Sequence, residues 1–168
     1  WISVASDGRS SNADSGQASI SADGRRAAFS SASSDLVAGD TNNTQDVFLK
    51  DLDTGDVTRL SLKPDGSQEF TPAREPRISD DGRTVLFTGR LGFIDADPEF
   101  LLAVYAYDVA SGELTWVSQT ASGDAPDGGA QQGSPSSDGR HVAWIAYGSN
   151  FVPDDDNAGE TDVVVGPG

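Results

Sequence analysis

Three stretches of this chain repeat one another, and that repetition constrains the fold more than any other feature. Residues 20–29, 78–87 and 135–144 share Ser-x-Asp-Gly-Arg, a variable residue and then an apolar triplet. The Asp-Gly-Arg units begin at Asp23, Asp81 and Asp138, giving a period of 58 and then 57 residues. A second marker keeps the same period: Asp51-Leu-Asp-Thr-Gly55 matches Asp108-Val-Ala-Ser-Gly112, 57 residues on. A third, Asp7-Gly8, Asp65-Gly66 and Asp127-Gly128, precedes each Asp-Gly-Arg. Periods of this length belong to architectures in which each unit buries its faces against its neighbours.

Each unit reads as strands. Asp-Gly between two short runs predicts a two-residue hairpin with positive φ at both central residues, pairing 18–21 with 26–31. The triplets Ala27-Ala-Phe29, Val85-Leu-Phe87 and Val142-Ala-Trp144 are continuously apolar, as in strands covered on both faces. A third strand follows at 46–51, 104–107 and 162–165, and a fourth at 57–62 and 114–118. Four antiparallel strands per unit, repeated, predict an all-β fold, a β-propeller with blades over 16–63, 72–119 and 131–168. Residues 1–6 align with 59–64, so they are read as the outer strand of a split blade, and the last blade lacks its own outer strand. Three blades fall short of the 4–8 that typically close a ring. The chain is therefore expected to be a piece of a longer propeller, half of a six-bladed homodimeric ring, or a unit of an open, filamentous assembly. The absence of methionine, with Trp1 at the start, fits a processed piece or a segment of a longer chain.

The stretch Ser21–Ser31, then Leu36-Val-Ala-Gly-Asp-Thr-Asn42, then Asp46-Val-Phe-Leu-Lys-Asp-Leu-Asp-Thr-Gly55 resembles the TolB-like, WD-like propeller repeat. That repeat is also found in the propeller domains of prolyl-oligopeptidase-type peptidases and in exported bacterial proteins. The resemblance covers nearly the whole chain, but the second unit departs from it after Phe87. It implies the propeller fold and, among its loops, partner-binding surfaces at 40–46, 89–100 and 154–162. It says little about function by itself.

Net charge is −16, from 27 acidic residues against 11 basic ones. That argues against nucleic acid or an anionic membrane as partner, since both are bound through clustered positive charge. No apolar run is long enough to predict membrane insertion. Asp outnumbers Glu by 22 to 5, so the acidity reads first as turn chemistry and solubility, with cation-binding loops and a high-salt habitat as alternatives. Cysteine is absent, which removes thiol chemistry and fits an extracytoplasmic location, secreted, cell-surface or periplasmic.

His141 is the single histidine, and no Gly-x-Ser-x-Gly elbow or phosphate loop occurs. No catalytic residue and no enzyme activity is therefore expected within these residues. The candidate metal ligands are Asp40, Asn42 and Asp46 in one loop and Asp155, Asn157 and Asp162 in another. Closely spaced Asp and Asn oxygens suit calcium, although structural Asx turns are the plainer use. Candidate interface residues are Trp1, Phe100 and Trp116, the last read as an exposed aromatic on an outer strand. The function expected is a non-catalytic scaffold for protein–protein interaction or self-assembly. The alternatives are an accessory propeller of a larger hydrolase or peptidase, and a subunit of a surface or filamentous assembly.

Overall fold

A computed structural model describes residues 1–90, 92, 101–124, 126–152 and 160–168. Among them there is no helix, and eleven strands form three antiparallel sheets. The first sheet runs β1 (Ser15–Ile20), β2 (Arg26–Ser31), β3 (Asp46–Asp51) and β4 (Val57–Arg59). The second runs β5 (Arg74–Ile78), β6 (Thr84–Arg90), β7 (Leu102–Asp108) and β8 (Leu114–Trp116). The third has three strands, β9 (Ala130–Pro135), β10 (His141–Ala146) and β11 (Asp162–Pro167), with β11 at its edge.

The sheets stack face to face because each is too small to bury apolar surface alone. Between the first and second lie Ala28, Val47, Leu49 and Leu60 from one side and Ile78, Val85, Phe87, Tyr105 and Trp116 from the other. Between the second and third lie Leu86, Val104 and Ala106 against Val142, Trp144 and Ala146. The apolar triplets of the first two sheets are covered on both faces, as their composition predicts (Ala27, Ala28 and Phe29 are all buried, as are Val85, Leu86 and Phe87), while Ala143 in the third is half-buried. Phe29 stacks on Phe48, and Phe87 on Tyr105, each with ring centroids 5.6 Å apart.

The Asp-Gly-Arg hairpins form, but with a different turn. Only the glycine takes positive φ (Gly24 +71°, Gly82 +71°, Gly139 +69°), and the connection spans five residues. The reason is the serine two residues before the aspartate. Ser21 Oγ donates to Asp23 Oδ1 at 2.6 Å and accepts the Arg26 N–H at 3.1 Å, and the Arg25 N–H also donates to Asp23 Oδ1. Ser79/Asp81 and Ser136/Asp138 repeat these contacts. Such bonds, led by the serine hydroxyl, hold the Asp23 and Asp138 carboxyls below the ordinary carboxylate range.

Residues 1–6 join none of the three sheets, and one further expectation, on the third copy of the Asp-Gly turn, is corrected. Val4 makes one bridge with Ser10, as Leu62 does with Gln68, so this segment is the turn that leads into a blade. Ile2 packs beside Phe29 and Phe48 on the outer face of the first sheet. The third copy of that turn is not Asp127-Gly128 but the stretch ending at Gly123, with φ +83° and the Thr120 N–H donating to the Asp124 carbonyl. Asp127 instead accepts from the Ser149 hydroxyl and backbone N–H.

Gly133 in β9 shows how closely the sheets approach. A Cβ there would lie 2.5 Å from Val104 Cγ1 and 3.3 Å from Leu86 Cδ1. Gly133→Ala is expected to cost about 1–3 kcal/mol in urea unfolding, the range for overpacking, and Val104→Ala in the same chain to recover part of it. Additive losses would contradict this packing.

Candidate functional site

Asp40 and Asp46 are both buried, and the group between them is an arginine. Arg59, at the end of β4, places Nη1 2.9 Å from Asp40 Oδ1 and Nε 3.2 Å from Asp46 Oδ1. Its side chain is 4% exposed. Ser61 Oγ donates to Asp46 Oδ1 at 2.6 Å, and Asn42 Nδ2 donates to Asp46 Oδ2 at 3.0 Å. Asn42 thus turns its amide nitrogen, not its oxygen, toward the carboxylate. Asp40 and Asp46, two of the three residues read in this loop as calcium ligands, thus meet the Arg59 guanidinium, and the third, Asn42, donates to Asp46. The alignment hid this because Arg59 is 13 residues beyond Asp46 and reaches back across the sheet. Burial outweighs the Ser61 hydrogen bond and the Arg59 charge, so the Asp46 carboxyl sits above the ordinary range.

Asp155 and Asn157 lie outside the described residues, as does Phe100. Asp162 opens β11. Among the described residues no group of three or more His, Cys, Asp or Glu side chains is placed to hold a metal.

Trp116 departs from the sequence reading. It is buried, not exposed, at the second-blade position equivalent to Arg59, 57 residues on. Along β8, Leu114 and Trp116 point inward and Thr115 outward, so strand alternation decides the matter. Its Nε1 donates to Ser118 Oγ at 3.0 Å. Ser118 repeats Ser61: the Val104 N–H donates to Ser118 Oγ as the Val47 N–H does to Ser61 Oγ. Ala103 replaces Asp46. One blade therefore uses an ion cluster where the next uses an indole. Trp1, the third tryptophan, is 98% exposed.

His141 is exposed at the start of β10, with no catalytic partner shown for it. Three residues that the sequence reading overlooked line the innermost strands. Gln17, Glu75 and Gln132 are 58 and 57 residues apart and take positive φ of 50°, 59° and 56°. Each sits at a β-bulge. The Gln17 carboxamide oxygen accepts the Glu75 N–H at 3.1 Å, and the Glu75 carboxylate accepts the Gln132 N–H at 3.3 Å. With Arg77 and Gly133 they line a cavity of about 360 Å³. Their recurrence at the repeat period was the signal that could have found them.

The open edge of the third sheet exposes two apolar side chains. Val163 is 75% exposed, while its equivalents Val47 and Val104 are 0%, and Val165 is 66% exposed, while its equivalents Leu49 and Ala106 are 8% and 7%. A cavity of about 680 Å³ lies beside β11, lined among others by Val117, Trp144, Phe151 and Val164.

Arg59→Leu is expected to cost about 3–5 kcal/mol by leaving Asp40 and Asp46 buried without a counter-charge. Arg59→Trp with Asp46→Ala, which copies the second blade, should cost clearly less in the same urea titration. Equal losses would show that the cluster is not one unit.

No family model matches the sequence, and no curated protein matches it. Solved structures do. A putative TolB from Agrobacterium tumefaciens is 19% identical, with a TM-score of 0.54, over 90% of this chain and 49% of that one. Tricorn protease is 15% identical with a TM-score of 0.55, over 92% of this chain and 13% of that one. The acylaminoacyl peptidase of Pyrococcus horikoshii is 13% identical with a TM-score of 0.50, over 84% of this chain and 18% of that one. The chain thus spans at most about half the length of these structures. The fold is that of a TolB-like β-propeller, present here as three successive blades.

Proposed function

We propose that this chain is a non-catalytic β-propeller module that acts by protein–protein contact outside the cytoplasm, with the edge of its third blade as the contact surface. The observation that carries this reading is the exposure of Val163 and Val165 on an unpaired sheet edge, at positions that are buried elsewhere in the repeat. An apolar strand edge is a template for pairing with another chain. The described residues offer no nucleophile–base pair, and the buried ion cluster around Arg59 is internal to one blade. Absence of cysteine and the acidic composition support the extracytoplasmic placement.

A second reading is an accessory propeller of a larger peptidase, favoured by the likeness of these blades to tricorn protease and acylaminoacyl peptidase. The two separate on whether the parent polypeptide carries a nucleophile elbow and a second histidine beyond Gly168.

The test is site-specific photo-cross-linking. A photoreactive residue at Val163 should form protein adducts in the native host fraction, and one at exposed Thr58 should not. Adducts at neither position would sink the contact reading, and so would hydrolysis of ester or peptide substrates by the purified chain.

A further inference from the structure

The cavity at the inner strands has walls from all three blades. Gln17 on β1, Glu75 and Arg77 on β5, and Gln132 and Gly133 on β9 enclose about 360 Å³, toward the lower end of the roughly 300–1,000 Å³ of small-molecule sites. Part of this polar lining holds the blades together. Gln17 Oε1 accepts the Ser30 hydroxyl at 3.1 Å and the Glu75 N–H at 3.1 Å. Glu75 Oε2 accepts the Thr88 hydroxyl at 3.0 Å and the Gln132 N–H at 3.3 Å. The rest is uncommitted. Gln17 Nε2, Glu75 Oε1, the Gln132 carboxamide and the Arg77 guanidinium have no hydrogen bond or ion pair among the described residues.

Packing does not account for Arg77. Its first-blade equivalent, Ser19, accepts the Ile78 N–H at 3.2 Å across the blade interface. The residue that corresponds to Ile78 in the third blade is Pro135, which has no N–H. The second interface therefore needs no acceptor at residue 77, and the chain places an exposed guanidinium there. At the same position of the third blade serine returns, as Ser134. The charge of these strands also departs from that of the chain. Of 27 acidic residues only Glu75 lies on an inner strand, and Arg74 and Arg77 are the basic residues there. Arg77 and Glu75 line one cavity without forming an ion pair with each other. Arg9 and Asp7, also two residues apart, close to 2.7 Å. The difference is that Glu75 is held toward Thr88 and Gln132 by its two accepted bonds.

We propose that this cavity binds a free α-amino acid as its zwitterion, the carboxylate on Arg77 and the ammonium on Glu75 Oε1, with the Gln17 and Gln132 carboxamides completing the bonds. A fixed cation and a fixed anion set apart in one cavity are complementary to a ligand that carries both charges. A guanidinium takes a carboxylate in a two-bonded fork, and a carboxylate oxygen takes an ammonium, both as charge-assisted hydrogen bonds. A ligand of zero net charge is not repelled by a chain of net charge −16, as a simple carboxylate is. The site is separate from the third-blade edge and adds a small-molecule ligand to the protein contact placed there.

Isothermal titration of the purified protein with glycine, L-serine and L-glutamine tests this, with acetate and methylamine as probes that carry one charge each. Two variants copy the other blades and so keep the packing. Glu75→Gln gives the second blade the side chain of Gln17 and Gln132, whose carboxamide oxygen still accepts from Thr88 and from the Gln132 N–H. Arg77→Ser gives it the side chain of Ser19 and Ser134. The expected result is saturable binding of at least one of the amino acids, with acetate and methylamine at least about tenfold weaker. Each variant should lower amino-acid affinity at least about tenfold, the loss of one charge-assisted bond. Binding of none of the amino acids at millimolar concentration, a single-charge probe bound as tightly as they are, or variants that bind like the parent would each overturn the proposal.

Discussion

The structure depends on one constraint: a four-stranded blade of this sequence has two apolar faces and must cover both. A short amphipathic sheet can shield one face with solvent-exposed polar residues on the other, but the triplets at 27–29, 85–87 and 142–144 leave no polar face in the middle strand. Stacking is the solution, and it fixes much else. Phe29 pairs with Phe48 and Phe87 with Tyr105 because the second and third strands of a blade present their large side chains at the same level. Trp144 and Val164 continue the pairing in register in the third blade. Stability of such a stack is close to a sum of blade and interface terms, so its ends are its weakest parts. The first face is partly shielded by Ile2, Leu36 and Val37. The last has its two valines in solvent.

Arg59 and Trp116 show two physical answers to one geometric demand. Both fill the space at the end of an outer strand, and both lie above a serine that accepts a backbone N–H from the neighbouring strand. In the first blade the filler is charged, so Asp40 and Asp46 are recruited and Ser61 and Asn42 complete the bonding. In the second blade the filler is apolar, and Ala103 stands where Asp46 does. A buried ion cluster of this kind adds little over a well-packed apolar residue, but losing one member is costly. The loop at 40–46 is thus tied into the blade through its bonds to Arg59.

The repeat period made the blades legible, because strand spacing and apolar triplets are local signals. The β3 boundaries, Asp46–Asp51, agree with the sequence reading to the residue. The turn was misread because Asp-Gly suggested a two-residue loop, whereas Ser21 and its equivalents lengthen it through side-chain bonds. Trp116 was misread because its place on a short outer strand left the facing direction open by one residue, and one residue reverses the face. The Arg59 cluster and the Gln17–Glu75–Gln132 series joined residues far apart in sequence. Their geometry became visible only when strands from one or more blades were brought together.

The account's central claim is that the edge of the third blade is buried by protein in the working molecule. Amide hydrogen exchange at Val163 and Val165 measures this directly, with Val47 as the buried reference. Slow exchange at high protein concentration that accelerates on dilution is the result the account predicts. Rapid exchange at both valines at every concentration, with Val47 protected throughout, would contradict it.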